Sequence, residues 1–461
     1  MFARETYVHR REELKRKFNS GIILLLGNGE SPMNYPGNTY TFRQDSTFIY
    51  YVGLCTPNLA YIMDIDNDRE YLLGDELTMD DIIWMGNLPS LKERAIEVGI
   101  ETVCPFSDLS RLITKGNSNR VSYLKPYRYR NQIILSGLLN KNVSQVIDDY
   151  SQTLTKAVVQ MRLIKSAEEI RELGNAGMIG YAMHITAMKM CQPGVAEQEI
   201  AGMIEGIAIS KGSRVSFATI LSMNGQTLHN HDHSGILEPG RLMLCDAGAE
   251  NNNHYASDFT RTIPVGGEYT SRQKDIHNIV LQALNESIEL AKPSITYKSV
   301  HRNAYRVIFE GLRTLGLVKG DTEDALTLGV PGLFMPHGLG HAMGLDVHDM
   351  EDLGETLVGY DDETQRDSLF GYRSLRFGKR LEPGHVITVE PGIYFVPQLI
   401  EKWKAEKTHT DFINYDKLSD FYDFGGIRLE DDILITDKGC RLIYEKRLPV
   451  TTDEITQAVM F

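Results

Sequence analysis

Carboxylates set at the ends of apolar, strand-like runs constrain this chain more than any other feature. Asp246 closes the run Leu242-Met243-Leu244-Cys245, Glu390 follows Val386-Ile387-Thr388-Val389, and Glu430 follows Ile427-Arg428-Leu429. A carboxylate beside core strands is costly unless it is paired or binds a cation. Asp258 lies twelve residues after Asp246, a spacing that lets a hairpin bring the two together. Ala247-Gly248-Ala249 reads as a set of small side chains leaving room for a ligand, and Pro391-Gly392 stops the ladder after Glu390. Singly, each acid is an ordinary strand-end residue. Together, without countercharge, they would repel strongly, whereas two divalent cations match their charge and leave positions for hydroxide and substrate.

A histidine would complete such a set, and the run from Pro336 to Asp349 contains His337, His341 and His348. The pair His337 and His341 echoes the zinc-helix pattern H-E-x-x-H, but Gly338 replaces its glutamate and three glycines argue against a helix. A loop or strand site is expected. A second histidine-rich segment, Leu228 to His233, places His229, His231 and His233 at alternate positions, which would share one face of a strand.

The 461-residue length suggests two or three domains, with a boundary at residue 165, where Ser166-Ala167-Glu168-Glu169 forms a capping box ahead of a long amphipathic helix ending before Pro193. The first part reads as mixed α/β, with a charged helix at Glu12–Phe18 and strands at Ile22–Leu26, Phe48–Val52 and Ala60–Ile65. A helix at Ala196–Lys211, strands at Ser216–Ser222 and Arg241–Ala247, and a helix at Ser271–Ala291 follow. The polar stretch Glu351–Arg373 reads as a long surface loop. Gly27-Asn28-Gly29 follows a strand, but Pro32 stands where a dinucleotide fingerprint needs its third glycine.

The formal charge of −14 argues against nucleic acid, whose binding draws on Lys and Arg. No apolar run near the start approaches the ~20 residues of a membrane span, so no membrane partner is expected. The charged opening, Arg10 to Lys17, is unlike a secretory signal and points to the cytoplasm. Five widely spaced cysteines without a C-x-x-C pair read as buried small hydrophobes.

The pieces LCDAGAE, SDFTRT, HGLGHAMGLDVHD, TVEPGIY and GIRLEDD, in this order, resemble the pita-bread metallopeptidases, in the branch of Xaa-Pro aminopeptidase and Xaa-Pro dipeptidase (prolidase). FRQDSTFIYYVG, Phe42 to Gly53, resembles the N-terminal domain of the same branch. The fold so implied is α/β (α+β): an N-terminal mixed α/β domain over residues 1–165, followed by a pita-bread catalytic domain over 166–461. The resemblance makes Asp246, Asp258, His341, Glu390 and Glu430 ligands of two divalent ions, with Asp258 and Glu430 bridging. It makes Glu390, His337 and His348 catalytic, places His229, His337 and His348 around the scissile bond, and sets Arg428 behind them. Arg376 sits at a position resembling the carboxylate-binding arginine of prolidases. An all-oxygen set with one imidazole makes manganese the first choice, with cobalt or zinc able to substitute. The implied substrate is a proline-containing peptide and the implied assembly a homodimer. The reading is an Xaa-Pro aminopeptidase, with a dipeptidase as the alternative and another metallohydrolase or a silent binding module as rivals.

Overall fold

The computed structural model describes residues 1–115 and 121–460 and divides into two compact units, Met1–Met161 and Arg162–Phe461. Within the described residues no helix is long and apolar enough to cross a membrane.

In the first unit the apolar strand Ile22–Leu26 lies between Ala60–Asp64, antiparallel to it, and Val121–Ser122, parallel to it. Arg69–Leu73 and Val103–Cys104 extend this five-stranded sheet. Ile22, Leu24, Ala60, Ile62 and Leu73 form its core with Leu109, Ile113 and Leu135. The first helix is Arg4–Lys15, not Glu12–Phe18. Its buried residues Tyr7, Arg10, Arg11 and Leu14 recur at helical spacing, and the two arginines hid the stripe from a reading based on apolar residues. Arg11 is buried because its guanidinium donates to the carbonyls of Tyr51, Val98 and Gly99 and to Glu70.

Phe48–Val52 is not a strand but the body of a buried helix, Ser46–Val52. Asp45 caps it, accepting from the Phe48 N–H at 2.8 Å, and Gly53 ends it at φ +76°. An apolar run this short carries no period, so its two ends decide the outcome.

The second unit is mixed α/β. Ser166 and Glu169 cap the helix Ala167–Met190 reciprocally, and the helix Glu197–Lys211 packs on it. The strand Leu242–Asp246 is central, flanked antiparallel by Ile220–Ser222 and Thr260–Pro264. Asp431–Ile435 pairs with Val386–Val389 and Cys440–Leu442, and Gly392–Tyr394 pairs with Gly426–Arg428. The helices Ser271–Leu290 and Tyr297–Thr314 pack together. In place of one strand at Ser216–Ser222 there are two short ones, Arg214–Val215 and Ile220–Ser222. Glu351–Arg373 is more than a surface loop: it contains the helix Glu355–Gly359, short 3-10 turns, and buried Leu353, Val358, Tyr360 and Tyr372. Of the cysteines only Cys191 and Cys245 are buried; Cys55 is exposed and Cys104 and Cys440 are half-buried.

The capped helix gives a direct check on the corrected element. Asp45→Ala should cost about 1 kcal/mol of stability and Asp45→Asn much less, because asparagine also caps. Urea unfolding of the two variants measures this, and equal losses would contradict a capping role.

Candidate metal centre

Three strand junctions deliver the acids. Asp246 ends its strand opposite Thr260, and Asp258 precedes that partner strand by two residues. Glu390 follows Val386–Val389, and Glu430 falls between Gly426–Arg428 and Asp431–Ile435. The histidine loop runs beside Val386–Glu390 with ladder-like bonds: Met343 N–H to Val386 O, Thr388 N–H to His341 O and Glu390 N–H to Leu339 O. Gly340 permits this approach, since a Cβ there would lie 2.1 Å from the Thr388 carbonyl oxygen. Gly248 serves the same purpose rather than leaving room for a ligand; its Cβ would sit 1.8 Å from the Ser257 carbonyl oxygen.

The result is a buried cluster in which ligand atoms of Asp258, His341 and Glu430 all lie within 4.8 Å of one another. His341 Nε2 is 3.5 Å from Asp258 Oδ2 and 3.8 Å from Glu390 Oε1. His341 Nδ1 donates to the Ala342 carbonyl at 3.1 Å, which leaves the Nε2 lone pair facing the acids. Asp246 stands across Arg428, whose guanidinium donates to Asp246 Oδ2, to Thr260 Oγ1 at 3.1 Å and to Tyr394 Oη at 2.8 Å. Glu430 Oε2 accepts from Thr260 Oγ1 at 2.7 Å.

The electrostatics leave this cluster short of positive charge. Burial pushes the Asp258 carboxyl well above the usual carboxylate range, and the charges of Asp246, Asp432 and Glu390 add to the rise. Glu430 is raised well above that range by burial and then by Asp258 and Glu390. Burial also raises Glu390, against the lowering pull of His341 and Arg428. Asp246 Oδ1 and Asp258 Oδ1 are buried without a hydrogen-bond partner. Unfilled buried acceptors, an excess of acids and one lone-pair imidazole are the donor set that divalent cations satisfy, so Asp246, Asp258, His341, Glu390 and Glu430 fit the group.

The remaining expected residues lie around this cluster. His337 Nδ1 donates to Gly338 O at 2.8 Å and its Nε2 is 2.9 Å from Tyr394 Oη; burial, aided by Arg428, pushes it down to about 3, so it is neutral. The His348 ring lies 4.0 Å from that of His341, tilted 48° to it, and its Nδ1 meets Glu351 Oε2 at 3.1 Å. Burial pushes His348 down to about 4, with His341 adding to the fall. His229 is exposed, and its proton affinity is lowered by partial burial and by Arg428. Its neighbours do not form a strand: His231 and His233 bond the carbonyls of Thr219 and Leu221. Arg376 is already ion-paired, to Glu351 and Glu355. Thr260, Tyr394, Asp432 and Glu351 join these residues without standing out from sequence pattern alone. Asp432 Oδ2 receives the Asp258 N–H at 3.2 Å, and Tyr394 joins His337 to Arg428. The signal for the first three is that they occur inside the quoted motifs, whereas Glu351 sits in the stretch taken for a loop.

Residues 171–437 match the metallopeptidase family M24 and residues 7–123 the aminopeptidase P N-terminal domain. The chain belongs to metallopeptidase family M24, with the N-terminal domain and pita-bread catalytic domain expected of it. It is similar to Xaa-Pro dipeptidase of Rattus norvegicus, 30% identical over 446 residues, covering 95% of this chain and 88% of the relative. It is likewise similar to a probable Xaa-Pro aminopeptidase of Sordaria macrospora, 31% identical over 431 residues, with 91% and 88% covered. Among solved structures, a histidine-to-alanine variant of Escherichia coli aminopeptidase P matches with a TM-score of 0.82 at 27% identity, over 100% of this chain and 98% of that one.

The raised carboxyls fix the sign of a pH effect. A group whose pKa is higher in the folded state stabilises the fold below its unfolded value, and that contribution is lost as pH rises through the folded value. In metal-free protein the carboxyls therefore withdraw stability as pH rises above the ordinary carboxylate range, opposed by the buried neutral histidines His337 and His348, and added divalent cation should restore stability by an amount that grows with pH. Thermal unfolding of chelated and reconstituted protein across pH measures this; a gain in Tm on adding cation that shrinks as pH rises would contradict the assignment.

Proposed function

We propose that this chain is a dinuclear-metal exopeptidase that hydrolyses the bond between an N-terminal residue and a following proline, an Xaa-Pro aminopeptidase. The observation that carries the reading is the convergence of Asp258, His341 and Glu430, with Glu390 and Asp246 at its edge, in a cluster short of positive charge. The relatives' names and the match to aminopeptidase P support the choice of peptide. An Xaa-Pro dipeptidase is the second reading, supported by the similarity to the rat enzyme of that name.

Asp246, Asp258, His341, Glu390 and Glu430 would hold two divalent ions, which supply Lewis acidity and an acidified water. Manganese suits the oxygen-rich donor set, and a zinc-substituted Escherichia coli aminopeptidase P with product is among the similar structures. Glu390 accepts the proton of the attacking water and returns it to the departing nitrogen of proline. Neutral His348, its Nδ1–H held by Glu351, presents Nε2 as an acceptor; it therefore positions a proton-bearing group of the substrate rather than donating to the developing oxyanion. His337 is held in the same tautomer by Gly338, and its Nε2 takes the Tyr394 hydroxyl, so it supports Tyr394 and through it Arg428. His229 faces the same charges from the solvent side, which suits contact with the substrate. Homodimerisation follows from the family resemblance.

An Xaa-Pro-Xaa peptide assayed with chelated and manganese-reconstituted protein tests the reading directly: activity must depend on the metal and on proline in the second position. Cleavage of esters or phosphoesters in preference to that peptide would overturn it. Asp258→Asn or Glu430→Gln should abolish turnover, because a neutral amide removes one of the negative charges that would hold the ions. His348→Ala should slow turnover by ~10²-fold with bound metal retained. Metal loss in step with activity would move His348 onto the metal.

A further inference from the structure

Of the alternating histidines His229, His231 and His233, only the first has been given a part in the site, and the other two bond in a pattern of their own. The strand Ile220–Ser222 is the edge of its three-stranded sheet, paired on one side with Leu242–Asp246. Carbonyls on the outer side of an edge strand have no ladder to enter and take donors from elsewhere. His233 Nδ1 lies 2.9 Å from the Leu221 carbonyl oxygen, and His231 Nδ1 lies 3.4 Å from that of Thr219. A carbonyl only accepts, so in both rings Nδ1 carries the hydrogen. The rings are two residues apart and so are the carbonyls, which is the repeat of a strand.

This stitch holds the loop that carries His229. The ends of the loop are tied separately, by Met223 N–H to the buried Glu197 carboxylate at 2.7 Å and by Glu197 N–H to the Gly235 carbonyl at 2.9 Å. Between those ties, the hydrogen bonds that join loop to strand come from His231, His233 and Asn230, whose Nδ2 donates to Ser222 Oγ at 3.0 Å. The strand they grip is the one whose Ile220 pairs with Asp246, so the loop is registered against a residue of the metal centre. His229 stands two residues before His231, and beyond its partial burial the charges its ring feels most are those of Arg428 and Asp246.

Building on the Xaa-Pro reading above, we propose that His233, with His231 as a weaker second stitch, is a positioning residue: it fastens the loop to the sheet edge and so aims His229 at the substrate. A loop left loose at this point must be ordered when the peptide binds, and that entropy is subtracted from affinity. His233 has the shorter bond and is half-buried while His231 is exposed, so His233 carries the larger part.

The test measures kcat, KM and bound manganese with an Xaa-Pro-Xaa peptide for manganese-loaded wild type, His233→Ala, His233→Asn and His233→Gln, each also in a His229→Ala background. His233→Ala should lower kcat/KM by about tenfold, mostly through KM, the worth of one side-chain hydrogen bond. Asparagine places its amide N–H where the Nδ1–H stood and should restore KM, whereas glutamine, one carbon longer, should behave as alanine does. In the His229→Ala background, replacing His233 should cost nothing further, because the residue it positions is gone. Should His233→Ala fail to fold, the contrast of asparagine with glutamine still decides. Losses that multiply in the double variant, an asparagine variant no better than glutamine, or manganese lost in step with activity would overturn the positioning role while leaving Xaa-Pro hydrolysis standing. A wild type that cleaves no Xaa-Pro peptide would overturn the Xaa-Pro reading and the positioning role with it.

Discussion

Mutual repulsion among buried carboxylates is the constraint on which the rest of this structure depends. Asp258, Glu430, Glu390 and Asp432 are brought together at strand junctions, and burial raises the proton affinity of each. In a low-dielectric interior such a group either takes up protons or binds cations. Arg428 answers part of the charge, but it is spent on Asp246, Thr260 and Tyr394. The unpartnered oxygens of Asp246 and Asp258 remain.

The fold holds this arrangement with interactions one step removed from the acids. Arg261, fully buried, donates to the carbonyl of Glu430 at 2.6 Å and to Asp431 Oδ1 at 2.7 Å, fixing the backbone that carries Glu430. Asp349 accepts from Arg162 at 2.7 Å and Lys165 at 3.1 Å, anchoring the end of the loop that carries His341 and His348. Breaking a buried pair of this kind on one side leaves an uncompensated charge, so these residues help to hold the loop beside its backbone ladder. Order in the centre is thus bought by ion pairs that never touch it.

The parts of this design legible in the amino-acid sequence are those where a polar residue breaks an apolar pattern. Asp246 and Glu390 end continuous apolar runs, and the glycines around His341 argue for a loop; the structure places the acids at strand junctions and the loop beside Val386–Val389. Long helices with explicit caps, such as Ala167–Met190, were equally legible. What was not legible depended on partners far along the chain. The first helix buries Arg10 and Arg11 against distant carbonyls, a use of arginine that hydrophobic periodicity does not detect. Phe48–Val52 has strand-like composition but a helical cap at each end. Gly248 and Gly340 looked like space for a ligand or a break in a helix, and instead admit a passing backbone. The ion pairs of Arg376 join residues twenty-one and twenty-five positions apart across a stretch read as loop, so its charge looked available when it was not.

Calorimetric titration of metal-free protein with manganese, in two buffers of different ionisation enthalpy, tests the central claim most directly. Carboxyls whose proton affinity is raised by burial and by one another must release protons when cations replace them. The account predicts uptake of about two ions per chain with net proton release near neutral pH. Failure to bind divalent cations, or binding with no proton release, would show that the cluster carries its own compensation and is not a metal centre.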